Sequence, residues 1–310
     1  LRTMLSKVLL QLESKIVAKT RGDLPPVYKI FLSSLFTKKA KTVEATQERA
    51  QNKEPQPKIS FKVDQMHFTA KEKEEFQRLC EYTPITSEPS SALMHVFPHV
   101  LGQQFIISLI SHPIFPISAI GSLHLRSYFE VLQEKLLKEF LSNTSPSSFS
   151  MQGNYWGCVA NQKRGTDLVC SLEIWHNESA QAVWKELIVI YSTKNTRNHD
   201  TTAQDILQRY SGYCDFTNLE VEKTESLSQV SATKDETWSY GILSGDINPI
   251  HMSQIGAKLF GQKGRIAHGA MILGKALAHL EQRQQVAVPN KLGVSFKGPI
   301  PCGSILDVKA

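Results

Sequence analysis

One pattern occurs twice in this chain and limits the folds open to it. "TAKEKEEFQRLCEY" begins at Thr69, and "TKDETWSYGILSGD" begins at Thr233. Each opens on Thr-x-x-Glu, a capping box in which the threonine hydroxyl and the glutamate satisfy free N–H groups of the first helical turn. An aromatic follows seven residues later, Phe76 in one copy and Tyr240 in the other. In this register Cys80 faces Ser244, Glu81 faces Gly245 and Tyr82 faces Asp246. A largely apolar helical run comes after each copy, "PHVLGQQFIISLISH" (98–112) and "HGAMILGKALAHLEQRQ" (268–284). Apolar residues occupy most faces of both runs, which marks buried helices.

Strand-like sequence follows each helix. "TDLVCSLEIWHN" and "QAVWKELIVIYSTK" read as a hairpin joined at "ESA", and "KLGVSFKGPIPCGSILDVKA" reads as two strands about a Pro/Gly turn. A buried helix followed by antiparallel strands, twice over, predicts an α+β protein in which each helix is wrapped by a curled sheet. Residues 38–58 are charged and poor in apolar side chains, which reads as a solvated linker. The polar stretch 192–205 reads as the boundary between the halves. Leu5, Val8, Leu9, Leu12 and Ile16 make a helical stripe, so residues 1–56 are expected to form a helical arm and a linker.

With 41% hydrophobic and 21% charged residues, the composition is that of a globular protein. A net charge of +6 favours anionic ligands but is too mild for a nucleic-acid binder. The five cysteines (Cys80, Cys158, Cys170, Cys214 and Cys302) are scattered and form no C-x-x-C pair, which favours a reducing, cytoplasmic setting over a zinc site. The most apolar stretch, 105–121, is broken by His112, Pro113 and Pro116, so stable membrane insertion is not expected.

The two copies differ at their ends. Only the second continues as "YGILSGDINPIH" (240–251), with Asp246, Asn248 and His251 placed around Gly245 and Pro249. Such residues on their own form a helix-terminating turn. Pro249 forbids helix continuation, so a tight turn must bring Asp246 and His251 together. "AHGA" (267–270) places His268 and Gly269 at the start of the second buried helix, where backbone N–H groups are free to hold an anion. A carboxylate, an imidazole and an N–H donor are the parts required for acid–base chemistry beside a developing oxyanion. The spacing of Asp246, His251 and His268 matches no common metal site, and no metal is expected. Cys302 reads as packing rather than as a nucleophile. His95, His99 and His124 have no carboxylate partner nearby in sequence and read as core or polar-turn residues.

Tyr-x-x-x-Ser-Gly-Asp-x-Asn-Pro-Ile-His resembles the MaoC-like, hydratase-2 family of (R)-specific enoyl-thioester hydratases and dehydratases. "GRIAHGAM" (264–271) is similar to the second element of that family, and "VSFKGPIPCGS" (294–304) to its Phe-x-x-Pro-x-x-x-Gly turn. Residues 97–126 resemble the degenerate first unit of double hot-dog acyl dehydratases. The resemblance spans roughly 57–310. It implies a double hot-dog of two antiparallel sheets, each around a buried helix, with an acyl-binding half at 57–205 and a catalytic half at 206–310.

The resemblance also implies the chemistry. Asp246 and His251 would hold and activate water, Asn248, Ser244 and Gly245 would support them, and Gly269 would donate its N–H to the thioester oxygen beside His268. The reaction implied is cofactor-free hydration of trans-2-enoyl-CoA or acyl-carrier-protein thioesters, or the reverse dehydration, in fatty-acid metabolism, with a homodimer as the assembly. A hot-dog thioesterase would need a different nucleophile or base, and a non-catalytic acyl-thioester-binding protein would lack the Asp/His pair. Hot-dog sheets continue after the turn at Pro301–Gly303, so "SILDVKA" is expected to lack a following strand and the chain as given to be poorly stable. Ile106 and Phe115 are expected to border the acyl chain.

Overall fold

The computed structural model describes residues 15–20, 56–83, 89–112, 115–117, 122–142, 148–161, 165–193, 200–213, 226–284 and 290–309. Both capping boxes form, with matching geometry. In helix α1 (Ala70–Leu79) the Glu72 N–H donates to Thr69 Oγ1 at 3.1 Å, and the Thr69 N–H donates to the Glu72 carboxylate at 2.8 Å. The pair Thr233 and Glu236 repeats this at 3.1 and 2.8 Å at the start of α6 (Lys234–Ser244). The register also holds beyond each helix. Glu81 and Gly245, its counterpart, both turn left-handed, with φ of 56° and 76°.

Helices α2 (Ser91–His95) and α3 (Phe97–Ser111) form a run that is apolar and long enough, by composition, to cross a bilayer. Most of it is instead buried in the protein as a core helix. It packs on β2 (Ile59–Gln65), β4 (Phe149–Ala160) and β5 (Thr166–His176). These strands join β6 (Ala182–Ser192), β3 (Leu123–Val131), β1 (Lys15–Thr20) and β8 (Lys291–Ser295) in a seven-stranded sheet of order β1-β2-β4-β5-β6-β3-β8. The hairpin expected at 166–192 is the β5–β6 pair. Helix α4 (Glu134–Ser142) packs on β6, and α5 (Thr201–Tyr210) packs on β4. From α5, Ala203 and Ile206 join Val169, Leu187 and Val189 in a second apolar cluster. Covered on both faces, β5 is buried along nearly its whole length, as a strand without hydrophobic alternation must be.

The second half is built on α9 (Gly269–Gln284), packed on α2 and on the antiparallel pair β7 (Ser226–Ser231) and β9 (Ile305–Lys309). Short helices α7 (Pro249–Met252) and α8 (Gln254–Leu259) carry the loop between α6 and α9. The Lys275 ammonium of α9 is fully buried and donates to Glu81 at 2.5 Å and Glu236 at 2.7 Å. One cation thus ties a residue of each repeat to the second central helix.

Several expectations are corrected. Ile16, the last residue of the N-terminal stripe, lies in β1, which pairs in parallel with β2; residues 1–14 and 21–55 lie outside those described. Two sheets form as expected, and β8 of the second half completes the first of them by pairing with β3. Helix α5 packs on the first sheet, so the first half runs past the boundary expected at 192–205. Strand β9 finds its partner in β7, a strand the sequence pattern did not mark.

Close approach of α3 to the sheet rests on Gly153 of β4, where an added Cβ would lie 2.7 Å from Phe105 Cβ. That neighbour is the root of a buried side chain and cannot swing aside. Gly153→Ala is therefore expected to destabilise the protein by about 1–3 kcal/mol, read as a lower chemical-denaturation midpoint. An unchanged midpoint would show that α3 can move off the sheet at little cost.

Candidate active site

A cavity of about 400 Å³ opens between the halves. Its apolar wall includes Ile106, Ile107 and Ile110 of α3, with Ile188 and Ile190 of β6. Its polar end is the loop after α6. Gly245 caps that helix, and Ser244 Oγ donates to the Tyr240 carbonyl at 2.8 Å while accepting from the Asp246 N–H at 3.2 Å. Asp246 Oδ1 accepts the Asn248 N–H at 3.2 Å, and Asn248 in turn caps α7 by accepting the Ile250 N–H at 3.3 Å. Pro249 takes the first position of α7, where its missing N–H costs nothing. His251 stands on that short helix and Asp246 in the turn before it, as the proline required.

The imidazoles are held in defined states. His251 Nδ1 lies 2.8 Å from the Ile266 carbonyl. A carbonyl can only accept, so Nδ1 carries the proton and neutral His251 keeps a free lone pair on Nε2. His268 donates from Nε2 to the Asp246 carbonyl at 3.2 Å and stacks on His251, with ring centroids 3.9 Å apart and 28° between planes. Burial first, and then His251, holds the His268 pKa well below the usual imidazole value. His268 is therefore a neutral strut for the loop.

Ligand atoms of Asp246, His251 and His268 lie within 4.8 Å of one another. His251 Nδ1 is engaged by the Ile266 carbonyl and His268 Nε2 by the Asp246 carbonyl, which leaves one nitrogen on each ring.

Gly269 begins α9, so its N–H has no acceptor within the helix. A Cβ there would lie 2.8 Å from two atoms of the Phe296 ring. Glycine lets that ring close over the helix terminus and leaves the donor on the cavity wall.

The first half contributes more than apolar surface. Gln103 Nε2 donates to Asp246 Oδ2 at 3.2 Å. One turn earlier, His99 Nδ1 lies 2.8 Å from Glu186, which is fully buried and accepts Ser127 Oγ at 2.5 Å. His124 Nε2 meets the same hydroxyl at 2.7 Å. His99 was thus expected to lack a carboxylate and has one from β6. The serine hydroxyl links His124 to it, and His95 is buried in the core. Short-range sequence carried no signal for these residues, because their partners lie on other strands. Ile106 borders the cavity as expected, but Phe115 does not; its ring packs on Tyr155 at 4.6 Å. Cys302 is half-buried, with Sγ 3.5 Å from Thr237 Oγ1, away from the cavity.

The chain is similar to several known proteins. The MaoC like domain family model matches residues 215–310. Over 61 residues the chain is 43% identical to 3-hydroxyacyl-thioester dehydratase X of Mycobacterium tuberculosis, a match covering 20% of this chain and 21% of that relative. The matched segment thus spans about a fifth of the relative's length. HtdX of M. tuberculosis has a similar solved structure, with TM-score 0.57 and 16% identity over 79% of this chain and 85% of that one. A MaoC-like dehydratase from Phytophthora capsici has TM-score 0.54 and 15% identity over 80% and 84%. The fold is that of these double hot-dog dehydratases.

The buried rings make stability depend on pH. Burial, and then His99, lowers the His124 pKa to about 3, and His268 is lowered for the reasons above. Both stay neutral in the fold, whereas in the unfolded chain they take up protons below about pH 6.5. The unfolded state then binds more protons, so stability falls as pH falls below about 6.5, for His124 toward about 3, by up to about 1.4 kcal/mol per pH unit for each ring. A urea midpoint lower at about pH 5 than at about pH 7 is expected. An equal or higher midpoint would contradict the neutral rings.

Proposed function

We propose that the protein is a hydro-lyase that adds water (R)-specifically to trans-2-enoyl thioesters, or removes it from (3R)-hydroxyacyl thioesters, in fatty-acid metabolism. The observation that carries this reading is the pairing of a tautomer-fixed His251 with an anchored Asp246, beside the open N–H of Gly269, at the polar end of an apolar cavity. In this reading a water between the pair donates one O–H to the Asp246 carboxylate and the other to His251 Nε2. As a proton passes to the pair, the oxygen bonds C3 and the C2=C3 π electrons move to the thioester oxygen. Gly269 N–H stabilises the charge there. Collapse of the enolate returns the proton to C2, and no co-reactant is consumed. Asn248, Ser244 and Gly245 hold the turn, and His268 fixes its backbone.

CoA or an acyl carrier protein would carry the acyl group, in keeping with the exposed Lys297 at the cavity and the net charge of +6. We place the protein in the cytoplasm, a setting that suits thiols such as those of Cys80, Cys170 and Cys302, none of them in a disulfide. The same proposal includes a homodimer, which light scattering coupled to gel filtration would read.

Loss of enoyl absorbance with crotonyl-CoA and a longer enoyl-CoA, followed by chiral analysis of the product, tests the reaction. Asp246→Asn and His251→Ala should each lower kcat by about 10²- to 10⁴-fold with the melting curve preserved. Near-native turnover in either would remove the assigned base. Gly269→Pro, which deletes the N–H, should lower kcat more than it raises KM. The first repeat has Tyr82 where the second has Asp246, so calorimetry with an unreactive enoyl-thioester analogue should give one equivalent per chain. Two equivalents would assign a second site to the first half.

A further inference from the structure

Buried polar atoms in a native protein nearly always have hydrogen-bond partners, so orphans that cluster at a cavity mark what it receives. Among the described residues, His268 Nδ1, Gln103 Oε1 and Tyr240 OH are buried with no partner, and all three residues line the cavity described above. Gln103 and Tyr240 belong to α3 and α6, which pack against each other. The orientation of the Gln103 amide is fixed by chemistry. Asp246 Oδ2 can only accept, so the NH₂ faces it and Oε1 is the atom left without a partner. Tyr240 is only 2% exposed, and burial first, then Cys80, Asp246 and Glu186, keeps its phenol protonated. His99, locked by Glu186 through Nδ1, has Nε2 as its remaining polar ring atom at the same wall.

The hydration chemistry leaves these atoms unused. The attacking water has two O–H bonds, which Asp246 and His251 Nε2 accept. The thioester carbonyl can only accept and goes to Gly269 N–H. A plain alkyl chain offers Gln103 Oε1 no proton and Tyr240 OH no lone pair. A hydroxyl offers both, and it suits His99 Nε2 in either protonation state of that ring.

We propose that Gln103, Tyr240 and His99 form a hydrogen-bonding subsite for a hydroxyl group on the acyl chain, within a few carbons of the reacting double bond. The preferred substrate is then a hydroxylated enoyl thioester rather than a plain alkyl one. This specificity rests on the hydratase reading above.

The test compares kcat/KM for trans-2-enoyl-CoAs of one chain length that are plain, hydroxylated at the 4- or 5-position, or methylated on that hydroxyl. A hydroxylated substrate should exceed the plain one by roughly tenfold or more, and its methyl ether should lose the advantage, because a site built to bond a hydroxyl discriminates against analogues lacking it. Tyr240→Phe should shrink the ratio of hydroxylated to plain substrate by a similar factor. Equal kcat/KM for plain and hydroxylated substrates in the native protein would overturn the subsite while leaving the hydratase reading in place. Hydration of neither would overturn that reading instead. Calorimetry with saturated 5-hydroxyacyl-CoA and its deoxy partner then decides the subsite alone: tighter binding of the hydroxylated ligand supports it, and equal binding refutes it. The same calorimetry replaces the Tyr240→Phe arm should that variant fail to fold.

Discussion

Helix α3 is apolar on nearly every face, and a helix of that kind is stable only where something covers all of it. The seven-stranded sheet covers one side, and α6 of the second half meets another. Two of its polar residues, His99 and Gln103, stand one turn apart and line the cavity. Burying α3 therefore fixes two things together: the packing of the first half, and the place where its polar groups reach Asp246.

Around that contact the second half builds its chemistry from short-range bonds. Asn248 caps α7, Ser244 ties the turn back to α6, and the Ile266 carbonyl selects the proton-bearing nitrogen of His251. None of these bonds touches substrate, yet together they leave one imidazole lone pair beside one carboxylate. His268 acts at one remove, holding the backbone of Asp246 with a ring that burial keeps neutral.

The repeated unit shows how one local structure can serve different ends. Both capping boxes form, and both copies turn left-handed at corresponding positions. In the second copy that turn is Gly245 and leads into the acid–base loop. In the first it is Glu81, whose carboxylate reaches Lys275 and His279 of α9. The first copy has become a brace for the second central helix, and the buried Lys275 joins it to Glu236 in the other box.

The capping boxes, both buried helices, the β5–β6 hairpin and the loop bearing Asp246 and His251 were legible in the sequence. Each is specified within a few residues by periodicity, a side-chain cap or a proline. The edge pairing of β8, the strand character of Ile16 and the packing of α5 on the first sheet were not, since a strand's partner is chosen by the whole sheet. The same limit applied within the site. Gln103 meets Asp246 across 143 residues, and His99 meets Glu186 across 87. The sequence alone determined which groups could do proton chemistry. Only the tertiary structure decided which others would surround them, because the crossing of α3 with α6 and β6 depends on packing that no local pattern encodes.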